Sequence, residues 1–328
     1  MIEVQHLSKT FYVRRRESGL KNAAAALFKK REPVPALQDI SFSVADGEMV
    51  GYIGPNGAGK STTIKVMTGV LTPDNGICRI DGRTPWKERK AHVARIGVVF
   101  GQRSQLWWDL PVNDSFDLIR DIYRVPEDRY RKNVRELSEM LSLGEILRTP
   151  ARQLSLGQRM RCEIAASLLH DPKVLFLDEP TIGLDAASKL AVREFIRSLN
   201  RTRGTTILLT THDMQDIEAL TRRIILIGKG RILLDGPLED LKETLSPVRT
   251  VIASGREKAG ALSLPEGVSL LSRQGEGNVR LTLSADTRLS PVPALIESLS
   301  RQMELSDLSV EQASMDEVVL SLYKQYKI

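Results

Sequence analysis

Apolar and polar positions along this chain switch between a period of two and a helical period, and each switch marks an element boundary. Ile2, Val4 and Leu7 alternate and lead to Phe11-Tyr12, which predicts an edge strand and a turn with an aromatic at its end. Residues 13 to 35 interrupt the pattern with Arg14-Arg15-Arg16, an alanine run from Ala23 to Ala26, Lys29-Lys30-Arg31 and two prolines, so the stretch reads as a basic insertion. It is either a solvated loop or a short helix carrying Leu27 and Phe28 towards an anionic surface or a partner. The strand pattern resumes at Ile40 to Val44, turns at Asp46-Gly47 and continues as the apolar run Met49 to Ile53. Asn75-Gly76 and Asp81-Gly82 bracket Ile77 to Ile80 as a further short hairpin, and these strands read as antiparallel and peripheral. Ile96 to Phe100 is a buried strand ending at Gly101-Gln102.

From Leu106 to Pro150 the period becomes helical. Val112, Phe116, Ile119 and Ile122 share one face; Val134, Leu137, Met140 and Leu141 share another. Trp107-Trp108, at the entrance of this helical insert, read first as core anchors and second as a rim able to receive a partner helix. A strong helix begins at Leu154-Ser155-Leu156-Gly157-Gln158, with Ser155 at the N-cap, and runs through Ile164 and Leu168. Val174 to Leu177 is a continuous apolar run of the kind buried on both faces of a parallel sheet, and it delivers Asp178 and Glu179. Thr206 to Thr211 is another such run, ending on His212. Beyond residue 240, strands at 250–252, 280–283 and 308–310 and helices at 293–302 and 315–326 predict a small α+β unit spanning 241–328.

One stretch brings chemistry into this pattern. Gly54-Pro55-Asn56-Gly57-Ala58-Gly59-Lys60-Ser61-Thr62 joins the strand Met49–Ile53 to a helix with Ile64, Val66 and Met67. Backbone N–H groups at such a turn point to one place, where the helix dipole also favours negative charge. A phosphate fits there, with Lys60 as a fixed cation and Ser61 offering its hydroxyl to Mg²⁺. Gly54, Gln102, Asp178, Glu179 and His212 all fall just beyond the carboxyl ends of predicted strands, the edge where open α/β sheets bind ligands. In that setting the first acid can hold Mg²⁺ and the second can polarise an attacking water. Phe11 or Tyr12 could stack on a purine, and plain packing is an equal reading of either ring.

A chain of 328 residues divides into one large and one small domain, because single cores rarely grow past about 250 residues. With 41% hydrophobic and 27% charged residues, and no apolar run near the roughly 18 residues of a membrane span, it is expected to be globular and not to cross a bilayer. Met1-Ile2-Glu3-Val4 does not open a secretory signal. Cys78 and Cys162 lack metal-ligand spacing and fit reduced thiols in the cytosol. The net charge of +6 leans towards anionic partners without choosing among them.

In order along the chain these motifs resemble those of the nucleotide-binding subunit of an ATP-binding cassette (ABC) transporter, over about residues 1 to 240. Gly54 to Thr62 is similar to Walker A, Gln102 to the Q-loop glutamine, residues 154–158 to the family signature, and Val174 to Asp178 to Walker B with Glu179 as catalytic acid. Gly183-Leu184-Asp185 resembles the D-loop, His212 the switch histidine, and Phe11 best matches the adenine-stacking aromatic. Leu156 replaces the first signature glycine, a variation found among exporters, while Ser155 and Gly157 are retained.

The resemblance implies an α/β P-loop NTPase core, a mixed sheet with antiparallel and helical subdomains, followed by the C-terminal α+β domain. It implies ATP and Mg²⁺ as ligands. Residues 54 to 62, Ser155, Gly157, Gln158 and Asp185 would bind nucleotide; Ser61, Gln102 and Asp178 would hold the metal; Glu179, His212 and Gln102 would act in hydrolysis. It also implies a homodimer, since each chain has one phosphate loop and one signature, and separately encoded transmembrane permease subunits at the cytoplasmic face of the membrane. Residues 100–111 resemble one subgroup of exporter ATPases, and Ser314 to Leu320 the closing motif of a C-terminal extension on drug and polysaccharide exporter ATPases, for which dimer contact, regulation or a passive cap are the readings. No nucleic acid and no direct cargo contact are expected. The alternatives are a soluble ABC ATPase acting on ribosomes or DNA, which the single cassette and the lack of coiled coils disfavour, and an importer ATPase.

Overall fold

The computed structural model describes residues 1–13, 32–101, 103–245, 248–258, 262–275, 277–312 and 315–326. Gln102, Ser314 and the basic stretch 14–31 lie outside the described residues. Two compact units result, 1–236 and 237–327.

In the first unit, alternation gives an antiparallel sheet and continuous apolar runs give a largely parallel one. β1 (Ile2–Val13) pairs with β2 (Glu32–Val44) on one side and, past β3 (Met49–Ile53), with β4 (Asn75–Ile80) on the other, giving the order β2-β1-β4. β1 is therefore central and not the expected edge strand. Asn75 to Ile80 supplies its second partner, with Ile2 opposite Ile80 and Val4 opposite Cys78, instead of folding into a hairpin of its own. Val13 pairs with Glu32 and Tyr12 with Pro33, so regular strand runs into both ends of the expected 13–35 insertion.

The second sheet has the order β5-β6-β7-β3-β8-β9, with β5 (Ile96–Phe100), β6 (Val174–Asp178), β7 (Thr206–Thr210), β8 (Arg223–Gly228) and β9 (Arg231–Pro237). β3, β5, β6, β7 and β8 run parallel. β9 returns across Lys229-Gly230, both at positive φ, a two-residue turn that only an antiparallel neighbour allows. The sheet is thus mixed. α1 (Lys60–Met67) buries Ile64, Val66 and Met67 into a core shared by Ile2, Val44, Tyr52, Phe176, Leu208 and Ile225, directly beneath the phosphate loop.

α2 (Arg89–Val93) precedes β5, and α3 (Val112–Tyr123) and α4 (Glu127–Leu141) form the helical insert. Pro111 and Pro126 stand at the N-caps of α3 and α4, where a missing N–H costs nothing, and the left-handed Arg124 and Ser142 end them. α3 buries Val112, Ser115, Phe116 and Ile119, but Ile122 is 65% exposed and on α4 Met140 is 41% exposed. Both expected core faces are thus narrower than the periodicity suggests. Trp107 and Trp108 are exposed and do not anchor the core. Trp107 is held by its backbone N–H, which donates to Ser115 Oγ at 3.1 Å, and Trp108 lies 5.5 Å from the Arg159 guanidinium.

The remaining helices of the first unit are α5 (Leu156–Leu168), α6 (Ala186–Arg203) and α7 (Met214–Leu220). The second unit holds α8 (Leu238–Leu245), β10 (Val248–Glu257), β11 (Val268–Gln274), β12 (Val279–Asp286), α9 (Val292–Gln302), β13 (Met303–Gln312) and α10 (Met315–Gln325). Its antiparallel sheet, β11-β12-β10-β13, buries Val251, Ala253, Leu281 and Leu283 against Leu295 and Leu299 of α9, and α10 packs on α8. Among the described residues no helix is long and apolar enough to cross a membrane.

Candidate active site

The phosphate loop is shaped by what its glycines must avoid. A Cβ at Gly54 would lie 2.1 Å from the Ile227 carbonyl oxygen, and Gly59, at φ 115°, caps α1 in a conformation that side chains resist. Ala58 N–H donates to Pro55 O at 3.2 Å and Ala58 O accepts from Gly230 N–H at 2.8 Å, which closes the turn and ties it to the β8–β9 hairpin. Asn56, Gly57 and Ser61 are exposed on the open side, and Thr62 is half-buried. Lys60 is buried, and its ammonium donates to the carbonyls of Gly54 at 2.5 Å and Pro55 at 3.1 Å. Burial pulls its pKa below the ordinary value, while Glu179 and Asp178 act in the opposite direction. Underneath, the buried Tyr52 hydroxyl bonds Thr63 Oγ1 at 3.0 Å, which in turn donates to Gly59 O at 3.1 Å.

Strand register places the acids beside this loop. Phe100, Asp178 and Thr210 are level across β5, β6 and β7, and β7 pairs with β3, whose end feeds the loop. Asp178 Oδ1 accepts from Thr210 Oγ1 at 2.5 Å. Glu179 adopts φ 56°, a left-handed conformation that costs a non-glycine residue about 1–2 kcal/mol. Its backbone N–H donates to Thr210 O at 2.9 Å, and its carboxylate meets His212 Nε2 at 2.6 Å. Phosphate loop, two carboxylates and imidazole thus share one sheet edge.

The signature residues form a different cluster. Ser155 Oγ accepts from Gln158 N–H at 3.2 Å and Gln158 Oε1 accepts from Ser155 N–H at 2.9 Å, a reciprocal cap that starts α5. Gly157 packs so closely that a Cβ there would lie 2.4 Å from Ser188 Oγ on α6. Asp185 caps α6, with Ser188 N–H at 2.8 Å and Ser188 Oγ at 3.1 Å, and those two bonds hold its carboxyl below the usual range. Among the described residues no hydrogen bond joins 155–158 to 54–62. Glu163 of α5 is buried, accepts from Ser104 Oγ and from Gln105 N–H at 2.9 Å, and so ties the signature helix to the segment after Gln102; burial raises its pKa. Phe11 and Tyr12 are both exposed, so neither is a core residue, and the Lys9 ammonium lies 5.9 Å from the Phe11 ring centre.

A family model described as ABC transporter matches residues 37–182. The chain is 34% identical over 297 residues to the daunorubicin resistance ATP-binding protein DrrA3 of Streptomyces coeruleorubidus, covering 88% of this chain and 90% of that one. The chain belongs to the ABC transporter ATP-binding family. It is also 34% identical over 283 residues to the Nod factor export ATP-binding protein I of Ralstonia nicotianae, covering 82% and 86% of the two chains. Among solved structures, the ATP-binding cassette MJ0796, a dimer in a post-hydrolysis state with ADP and Pi, matches with a TM-score of 0.61 and 26% identity over 73% of this chain and 99% of that one. As an ABC ATPase the chain binds and hydrolyses ATP for a transporter, in agreement with the expected fold class and activity. Tyr52, Thr63, Thr210 and Glu163 were not singled out from the sequence; a polar residue inside an apolar run, as Tyr52 and Thr210 are, was the available signal.

Proposed function

We propose that two copies of this ABC ATPase close head to tail around two ATP molecules and power export through separately encoded transmembrane subunits. The observation that carries this reading is the division of the site: Lys60, Asp178, Glu179 and His212 share one sheet edge, while Ser155 and Gly157 belong to the start of α5, and among the described residues no hydrogen bond joins 155–158 to 54–62. A second copy completes the site. Lys60 exchanges its loop carbonyls for the outer phosphates, with the N–H groups of residues 57–62 around them and Phe11 against the adenine. Ser155 and Gly157 of the second copy, supported by Gln158, offer hydroxyl and N–H to the γ-phosphate, and Asp185 reports across the interface. Glu179 orients water for in-line attack, held by His212, which also faces the γ-phosphate.

Mg²⁺ fits the donors present. Ser61 is exposed and Asp178 stands at the strand end with Oδ1 already oriented by Thr210. Among the described residues no three-residue metal cage exists, which suits an ion held by one or two protein groups and substrate phosphates. Ser61, Asp178 and Gln102 would hold it, and when bound it offsets phosphate charge.

The permease docks near Gln102 and the helical insert, which places the chain peripherally at the cytoplasmic face of the membrane. Exposed Trp107, Trp108 and Ile122 support that face, and the relatives named for drug resistance and Nod factor export support the direction. Residues 241–328 serve dimer contact or regulation. Purification of the full chain from its native membrane tests the assignment: a polytopic membrane protein is the expected companion, and stable recovery with ribosomes contradicts it.

A further inference from the structure

Beneath the hydrolytic edge, one carboxylate gathers three segments of the chain. Asp216, fully buried on α7, accepts from Thr181 Oγ1, from Thr211 Oγ1 at 3.0 Å and from Arg193 Nε at 2.5 Å. Thr181 stands two residues after Glu179 and Thr211 one residue before His212. Arg193 is on α6, the helix that starts at Asp185 and meets Gly157 through Ser188. A second contact runs alongside. Lys189 Nζ donates to Asp213 Oδ2 at 2.5 Å, and Arg193 Nη2 lies 3.4 Å from the same oxygen. Asp213 follows His212 directly and caps α7 through Gln215 N–H at 3.0 Å. Lys189 and Arg193 are one helical turn apart, so α6 grips the His212 turn at two points.

A buried carboxylate is tolerated only when charge and lone pairs are answered, and here a guanidinium and two hydroxyls answer them. Such a group fixes geometry more than it adds stability. The segments it fixes are the two that carry Glu179 and His212, whose side chains meet at 2.6 Å.

We propose that Arg193 and Asp216 are positioning residues for ATP hydrolysis: they lock the turn bearing His212 against the strand end bearing Glu179 and tie that pair to α6. The proposal rests on Glu179 and His212 being the hydrolytic pair. Because α6 also seats Gly157, the same clamp attaches the His212 turn rigidly to the signature end of its own chain.

A double-mutant cycle on the full-length chain with Mg·ATP tests it. Arg193→Met lowers kcat about tenfold or more while KM for ATP stays within about twofold, and Arg193→Lys recovers part of the loss. In a His212→Ala background, Arg193→Met lowers kcat by less than about twofold further, since a residue acting through His212 has nothing left to position. An equal loss with and without His212, or a raised KM at unchanged kcat, overturns the proposal. If His212→Ala turns over too slowly for the cycle, histidine-labelled NMR replaces it, because the chain has only 4 histidines. Arg193→Met then displaces the His212 imidazole signal and leaves those of His6, His92 and His170 in place; an unmoved His212 signal overturns the clamp. Lys189→Met, a partly exposed change, repeats the test at the outer contact should Arg193→Met fail to fold. Full turnover by Glu179→Gln removes the hydrolytic reading and the clamp together, whereas additivity with His212 removes the clamp alone.

Discussion

Glu179 pays for its place with a left-handed backbone, and the return is a carboxylate aimed along the sheet edge at His212. Replacing it with Gln keeps shape and removes the proposed base, so Glu179→Gln should lower steady-state phosphate release about 10²–10⁴-fold while ATP binding, followed with a fluorescent analogue, persists. Release at the wild-type rate would assign the base elsewhere. Tyr52 acts at the same scale but on stability. Its hydroxyl steadies Thr63, which steadies Gly59, so Tyr52→Phe should cost about 1 kcal/mol in urea denaturation with little volume change. The placement of Glu179 and Lys60 at one sheet edge was legible in the sequence because they belong to spaced motifs after apolar strands. Tyr52, Thr210 and Asp216 were not, because their roles depend on partners 11, 32 and 35 residues away.

Among the elements, α2 shows how packing couples to proton binding. His92 is buried and its Nε2–H donates to Met67 O, at the end of the phosphate-loop helix, at 2.8 Å. Burial lowers its pKa from the ordinary 6.5, so acid protonates the unfolded chain first. The contribution is fully present above 6.5 and is lost as pH falls through the depressed folded value. His170, half-buried and stacked on Tyr123 at a ring-centre distance of 3.9 Å, shifts the same way. Denaturation midpoints compared at about pH 7.5 and about pH 5.5 should therefore fall with acid, and His92→Gln, which keeps a donor for Met67 O, should shrink the difference. An unchanged difference would assign the acid sensitivity to other groups. Element types followed from periodicity, whereas neighbours did not: β1 is central because Asn75 to Ile80 pairs with it, a long-range register that local pattern does not encode. Trp107 and Trp108 are exposed, with the Trp107 backbone N–H bonded to Ser115 Oγ and the Arg159 guanidinium over the Trp108 ring.

At the scale of the whole molecule, the first unit carries every described residue proposed to hold nucleotide, and its own core, so a chain ending at Gly236 should unfold cooperatively and bind ATP. Failure to fold would make residues 237–327 part of the core's stability. The deeper question is whether one chain holds a whole site or half of one. Its phosphate loop and its signature are each preorganised, one by the Tyr52–Thr63 support and the other by the Ser155–Gln158 cap, yet among the described residues no hydrogen bond joins 155–158 to 54–62. The measurement that decides this is a structure of the Glu179→Gln chain with Mg·ATP. Ser155 of one copy within hydrogen-bond distance of the γ-phosphate that Lys60 of the other copy holds is the predicted result. A chain that encloses ATP alone, or a dimer whose signatures stand clear of both nucleotides, would contradict it.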